Sequence, residues 1–398
     1  MTVSIWKRSP TPQPVQVDVA IVGGGVCGLS AALHFSRRRI RALVLERHTP
    51  GSGASTRNAG FLMRGMAENY KSALDNLGHD TARNIWHWSE ENLLGLKAEG
   101  VDKLPSFRPT PSCLLAFEQD EADALVESAR LLSEDGFGAL LVESGTDSAW
   151  ASGLPLLGLV NPADATINPA DLISLLVAKL GSIVVGDQEV HAIEAADGQR
   201  PCIVRTATLE VHCGSVLVCT NADAGRLYPS LAGVVRPNRG QMLALRARGA
   251  RLDYAYYANH GHEYIRQTPD GTIVAGGCRK QHAEDERTSD DRTSDPVQRD
   301  IEAFARGILD QPIEIVARWA GTMGFSPDGV PLVGPITPEQ SVWFCGGFTG
   351  HGMSLAYRTA AGVVSAMLDG IDSDPLISAF ALSRVWAARG DSAPSKTS

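Results

Sequence analysis

The feature that most constrains this chain is Gly23-Gly24-Gly25-Val26-Cys27-Gly28, which directly follows the apolar run 17–22 and opens a helical stretch over 29–39. A second apolar strand, 42–45, ends on the acid Glu46, eighteen positions after Gly28. Each glycine has a physical task. Gly23 permits a tight turn, Gly25 lets the backbone approach a pyrophosphate, and Gly28 lets the helix pack close to the strand. The free N–H groups at the helix N-terminus, around Val26 and Cys27, suit an anion. Glu46, with Arg47 beside it, has the reach to bind a ribose diol. A chain with 40 glycines produces Gly-rich turns by composition alone. Strand, helix, second strand and acid in register point to a bound dinucleotide.

The chain has 398 residues, 43% of them hydrophobic, enough to bury the cores of two or three domains. A net charge of −9, with both signs interspersed, argues against nucleic acid, which needs clustered excess cations. The dense basic run Arg37-Arg38-Arg39 reads as the solvated C-terminal end of the first helix, where cations complement the dipole. Seven cysteines form no C-x-x-C pair, which suits a reducing cytoplasm and offers no metal-ligand spacing. Residues 1–16 hold three prolines and no apolar core, so a signal peptide is not expected. No apolar stretch approaches the ~18 residues of a membrane span. Disorder is expected in the small, polar tail 389–398.

The run 51–60, rich in Gly, Ser and Ala, suits neither strand nor helix and reads as a loop that something else must order. Residues 67–98 turn helical, in two pieces broken near Gly78, with Trp86 and Trp88 as core. A strand over 111–117 and a helix over 120–133 follow. Asn168 then caps a helix that starts at Pro169. Short strands lie near 183–185, 190–194, 202–205 and 216–219. From 236 to 277 the pattern alternates with turn signals such as Pro269-Asp270-Gly271, which predicts an antiparallel sheet. Residues 284–295 form a charged loop, solvated or able to act as a lid. After a helix over 297–308, the chain finishes with a strand at 342–345, a glycine turn over 346–353 and a helix over 354–368.

The two ends of the chain discriminate between dinucleotides. The last strand, turn and helix repeat the first motif without its acid, so a second helix N-terminus would face the cofactor. A flavin gains negative charge near N1 on reduction, which such a terminus stabilises; nicotinamide does not.

Several of these segments together resemble the D-amino-acid-oxidase-type FAD enzymes, a superfamily that includes glycine, sarcosine and γ-glutamylputrescine oxidases. The matching residues are the Gly23 fingerprint, Ala54-Ser55-Thr56-Arg57-Asn58-Ala59-Gly60, Arg239-Gly240-Gln241, Trp319-x-Gly321 with Asp328-Gly329-x-Pro331-x-x-Gly334, and Gly347-x-x-Gly350-His351-Gly352-Met353. The fold implied is α/β plus α+β. A Rossmann-type FAD-binding domain is assembled from 1–95, 150–232 and 318–398, and a substrate domain on an antiparallel β-sheet from 96–149 and 233–317. By resemblance, Ser55, Thr56, Asn58, Ala59 and Gly60 wrap the pyrophosphate and flavin, and Val190 meets the adenine. Thr220 and Asn221 line the cofactor. Gly347, Gly350, His351, Gly352 and Met353 face the flavin's pyrimidine edge. His351 is either a cation near N1 or a neutral turn histidine. Cys345, beside this turn, is either a covalent flavin link or, more simply, a buried free thiol.

The reaction implied is oxidation of a carbon–nitrogen bond in a small amine or amino acid, by hydride transfer to flavin N5 and hydrolysis of the imine. The flavin is then reoxidised by O2 or another acceptor. The protein's part is chiefly to orient the substrate and exclude water, which fits the lack of a Ser/His/Asp or paired-carboxylate constellation. A non-catalytic flavin-binding accessory subunit and an NAD(P)-dependent dehydrogenase are the alternatives. In glycine and D-amino-acid oxidases an arginine after the Trp-Ala-Gly stretch clamps the substrate carboxylate; here that position is Met323. Tyr264 matches the substrate-contacting tyrosine, and alternation puts Arg266 on the same strand face. The missing clamp favours an amine or N-substituted amino acid with a differently placed charge; the alternative for Met323 is plain core packing. Ser354 replaces the lysine that sarcosine oxidases carry after the Gly-His-Gly histidine, which puts fast use of oxygen in doubt.

Overall fold

The computed structural model describes residues 13–66, 68–197, 199–337 and 339–389. The apolar run at the start becomes Val19–Val22, the centre of a six-stranded sheet and buried along its whole length. Ser215–Val218 and Ala42–Leu45 flank it in parallel, with Val19 opposite both Ser215 and Ala42. Beyond them lie Val342–Gly346 and Val184–Val185, also parallel, and Leu332–Pro335 closes one edge antiparallel. Strands buried on both faces must carry continuous apolar side chains, so short runs such as Val-Ala-Ile-Val suffice to specify them.

On one face of this sheet Val26–Arg37 packs against the long C-terminal helix Gly352–Asp369, and Pro169–Leu180 packs against Val26–Arg37. The second of the predicted pair of helices, His79–Ala98, also lies on the C-terminal helix; Tyr70–Leu77 precedes it. Trp86 and Trp88 are core, Trp86 tilted against Tyr70 at 4.8 Å and Trp88 edge-on to Phe380 at 5.2 Å between ring centroids. The Asn168 side chain accepts from the Ala170 N–H and caps Pro169–Leu180, as the sequence requires. A four-stranded sheet, in the order Gln13–Gln16, Leu209–Cys213, Cys202–Arg205 and Ala192–Glu194, packs through Val204 and Val211 against Val216 and Val218 of the parallel sheet.

The second large sheet has eight strands, antiparallel except where Ala255–Ala258 runs parallel to Ser112–Ala116. Two of its strands depart from the expected boundaries. Leu157–Asn161 pairs with Ser112–Ala116 and Leu140–Val142, although 150–232 was assigned to the FAD side. Glu314–Phe325 pairs with Arg236–Arg246 along its length and so crosses the expected boundary at 318. Alternation marks a strand; it does not name the partner strand, which is a long-range choice.

The loop 284–295 is largely exposed but anchored at several points, including Asp291 to Arg57 and Ser294 to Gln241. Glu286 is fully buried and takes a bidentate ion pair from Arg239, at 2.6 and 2.9 Å, with the Gln241 amide on the same carboxylate. No helix among the described residues is long and apolar enough to cross a membrane. The expected tail disorder falls almost wholly outside the described residues.

Candidate active site

At the carboxyl ends of the parallel strands, where ligands of open α/β sheets bind, lies a cavity of about 800 Å³. The glycine fingerprint builds its floor. Gly23 sits at φ +113°, and a Cβ there would lie 2.8 Å from the Cys219 carbonyl oxygen. A Cβ on Gly28 would lie 2.0 Å from the carbonyl oxygen of Gly23, so this glycine serves helix–strand packing and is itself covered. Gly25, Val26 and Cys27 line the cavity. Glu46 lines it too; its carboxylate accepts from the N–H groups of Gly24 at 2.8 Å and His48 at 3.0 Å, which fixes its orientation. Arg47, paired with Asp223 at 3.2 Å, and Val190 complete that end.

The loop 51–60 is held partly by its own hydrogen bonds and partly by residues outside it, among them Ala320, Trp319 and Asp291. Arg57 donates to the carbonyls of Ser52 and Ala320, and Asn58 donates to those of Ala54 and Ser55 while accepting from the Gly60 N–H. Thr56 was counted among the cofactor contacts, but its hydroxyl donates to the Gly51 carbonyl at 2.7 Å and it lies outside the cavity lining. Short polar side chains next to glycines find local backbone partners first. Ser55 and Asn58 do line the cavity, and the Ser55 hydroxyl accepts from the Val26 N–H.

Thr220 and Asn221 line the opposite wall. The Asn221 side chain accepts from the Gly347 N–H at 2.8 Å, tying the middle of the chain to the C-terminal turn. Gly347 therefore acts through this bond, while Gly350, Gly352 and Met353 reach the cavity. The Thr220 hydroxyl oxygen is buried and has no hydrogen-bond partner in the described residues. An orphaned hydroxyl on the wall of a polar, glycine-floored cleft is what a dinucleotide site leaves for its ligand, so the residues fit the group that the motif implies.

A smaller cavity of about 90 Å³ adjoins the first, and Ala54, Arg57, Asn58, Met323, Gly350 and Met353 border both. Its other walls include Ala59, Gly60, Phe61, Tyr257, Tyr264, Arg279 and His351. Phe61, Tyr257 and Tyr264 form an aromatic wall with ring centroids 5.1 to 6.1 Å apart. Burial pushes the Tyr264 hydroxyl up to about 12. His351 is 8% exposed; burial first, and then the charge of Arg279, pull it down to about 4, so it is neutral at pH 7. That direction favours the neutral of its two readings.

Arg266 does not reach this cavity. It shares a strand face with Tyr264, but its guanidinium is 3% exposed and donates to the backbone carbonyls of Ala59 and Ile167. Those carbonyls flank the cofactor loop, and a buried cation takes whatever acceptors surround it. Cys345 is fully buried behind the turn, its sulfur 3.3 Å from that of Cys27, which lies 3.7 Å from that of Cys219. It faces other thiols and lies outside the cavity lining, as a packed free cysteine does. Phe61, Tyr257 and Arg279 escaped the sequence reading. Tyr257 had a legible signal, because a hairpin turn at Asn259-His260-Gly261-His262 places it opposite Tyr264.

Comparison with known proteins bears on this geometry. The FAD dependent oxidoreductase (DAO) family profile matches residues 18–367. The γ-glutamylputrescine oxidoreductase of Escherichia coli is 24% identical over 389 residues, covering 90% of this chain and 85% of that protein. Glycine oxidase of Pseudomonas putida is 26% identical over 351 residues, covering 85% and 91%. Among solved structures, L-proline dehydrogenase from P. horikoshii superposes with a TM-score of 0.76 at 19% identity, covering 95% of this chain and 100% of that one. Glycine oxidase from Geobacillus kaustophilus gives 0.72 at 23%, covering 93% and 99%. These likenesses establish the same fold, and the profile spans both sheets. The chain belongs to the FAD dependent oxidoreductase family, and its cofactor is FAD.

Proposed function

We propose that this enzyme oxidises the carbon–nitrogen bond of a small amine or amino acid bound in the aromatic cavity, releasing an imine to hydrolysis, with O2 or another acceptor reoxidising the flavin. The observation that carries this reading is the small cavity itself. It opens onto the cofactor cleft between Met323, Gly350 and Met353, and is walled by Phe61, Tyr257 and Tyr264. Relatives named glycine oxidase and γ-glutamylputrescine oxidoreductase support an amine-bearing substrate.

In this reading the cofactor is held by the fingerprint glycines and the helix N-terminus at Val26, by Glu46 at the ribose, and by Ser55, Asn58, Val190, Thr220 and Asn221 along its length. The turn at Gly350, Gly352 and Met353, which lines the same cleft, would hold the ring end. FAD, when bound, supplies a two-electron sink that accepts hydride at N5.

The chain's own part is orientation and exclusion of water. The aromatic wall gives an apolar seat that favours the neutral amine over the ammonium, because desolvation penalises the charged form. His351, uncharged, adds no repulsion to a cationic imine product. The Tyr257 and Tyr264 hydroxyls, which have no hydrogen-bond partner among the described residues, are free to position the substrate's polar groups. Met323, at the junction of the two cavities, places no cation there. No proton acceptor is required on the protein if the substrate enters as the free base.

The test is an anaerobic titration of FAD-loaded enzyme with a panel of primary and secondary amines and amino acids. At least one should bleach the flavin band, and readmitted air should restore it if O2 is the acceptor. A flavin reduced by dithionite but by no member of the panel would favour a non-catalytic flavin-binding subunit.

A further inference from the structure

We infer that Arg279 is the anion-binding residue of the substrate cavity, which makes the preferred substrate an amine that carries a carboxylate. This inference rests on the proposed amine oxidation and assigns its specificity. The strand Ile273–Gly277 ends in two consecutive residues with positive φ, Gly277 at +107° and Cys278 at +55°. A Cβ on Gly277 would lie 2.0 Å from the His262 carbonyl oxygen, so the chain turns sharply there. Arg279 follows the turn and lines the cavity with Tyr257, Tyr264 and His351.

The guanidinium stands 5.2 Å above the ring of Phe325. That aromatic seat is two residues beyond Met323 on the strand Glu314–Phe325. A cation is thus delivered close to the end of the strand that carries methionine at position 323, but from a different strand. Seating on an aromatic face holds a guanidinium in place while leaving its N–H fork open.

The other cations nearby are occupied. Arg57 is bonded to Asp291 and to two backbone carbonyls, and Arg266 to the carbonyls of Ala59 and Ile167. Among the described residues Arg279 forms no ion pair, although its charge is felt by His351, Tyr264 and Glu263. A partly buried guanidinium in a cavity, with phenols beside it and no carboxylate paired to it, is complementary to an anionic ligand group. Planar bidentate geometry selects a carboxylate. Tyr257 and Tyr264, which line the same cavity, then border the remaining part of the ligand.

The experiment compares propionate with propionamide, an isosteric pair differing in charge, on FAD-loaded wild type, Arg279→Met and Arg279→Lys. Binding is read by calorimetry and by perturbation of the visible flavin spectrum. Wild type should prefer propionate by about tenfold or more, the scale of a charge-assisted hydrogen bond. Arg279→Met should abolish the preference with FAD content unchanged, and Arg279→Lys should keep part of it. Equal propionate binding by wild type and Arg279→Met, or no preference in wild type, would overturn the assignment. So would a methionine variant that loses flavin and thermal stability while keeping the preference, since that would mark Arg279 as packing for Phe325. If amines without a carboxylate bleach the flavin as fast as amino acids do, this assignment fails while amine oxidation stands. If nothing bleaches it, amine oxidation fails whatever propionate does.

Discussion

The two adjoining cavities differ in which parts of the chain give them their chemistry. The large one is floored by backbone, with glycines where a Cβ cannot fit, a helix N-terminus at Val26 and a hydrogen-bonded loop, and polar side chains such as Glu46, Thr220 and Asn221 stand along its walls. The small one also has glycines in its wall, Gly60, Gly240 and Gly321 among them, but its distinguishing groups are the side chains of Phe61, Tyr257, Tyr264, Arg279, Met323 and His351, contributed by separate segments. A cofactor used by a whole family is recognised through geometry that few substitutions can preserve. A substrate is recognised through side chains that can be exchanged while the sheet beneath them stays intact.

That contrast can be broken most forcefully at Gly28. A methyl group there meets a backbone oxygen that cannot swing aside. Gly28→Ala should therefore strip the flavin from the purified protein and cost about 1–3 kcal/mol or more of stability from overpacking; full flavin content would show that the floor is not rigid. Gly25 makes a milder case, because its nearest obstacle is the movable Ser55 hydroxyl.

Arg266 comes next, since it lies on the border between the two modes. Arg266→Met would leave the buried Ala59 and Ile167 carbonyls without donors, at roughly 1–3 kcal/mol each. Thermal unfolding should fall accordingly and the enzyme should retain FAD poorly, with substrate KM little altered in the loaded fraction. A change confined to KM would return Arg266 to the substrate side.

Tyr264→Phe should do the reverse. Flavin content and unfolding temperature should stay near wild type, while kcat/KM falls about tenfold for loss of one substrate hydrogen bond. Unchanged kinetics would leave Tyr264 as part of the wall only.

The smallest effect concerns His34, which is remote from both cavities and packed 4.8 Å from the Tyr357 ring at the helix–helix contact. Burial, with the charge of Arg37, pulls it from 6.5 to about 4. A histidine depressed in the folded state favours folding fully above its unfolded value. That contribution is lost as the pH falls from about 6.5 to about 4. His34→Phe keeps the ring contact and removes the titration, so its gain over wild type should be larger at pH 5 than at pH 8 in thermal melts. An equal difference at both values would place the proton elsewhere.

The sequence by itself determined the strand–glycine turn–helix at the start, its echo at the end, the helix broken at Gly78, the capped helix at Pro169 and the antiparallel character of the second sheet. All of these are written in contiguous residues, because steric limits on the backbone and side-chain periodicity act over a few positions. Most residues expected at the cofactor, from Gly23 to Met353, line the large cavity; Gly28, Thr56 and Gly347 do not, and Ala59, Gly60 and His351 border the small one instead. Only the tertiary structure decided which sheet received Leu157–Asn161 and Glu314–Phe325, that Arg266 holds the loop at Ala59, and that Phe61, Tyr257 and Arg279 converge on one cavity. Strand pairing and the direction of a long side chain depend on partners far away in the chain. Arg279 depends besides on a left-handed turn at Cys278, a residue whose identity gives no hint that the chain bends there.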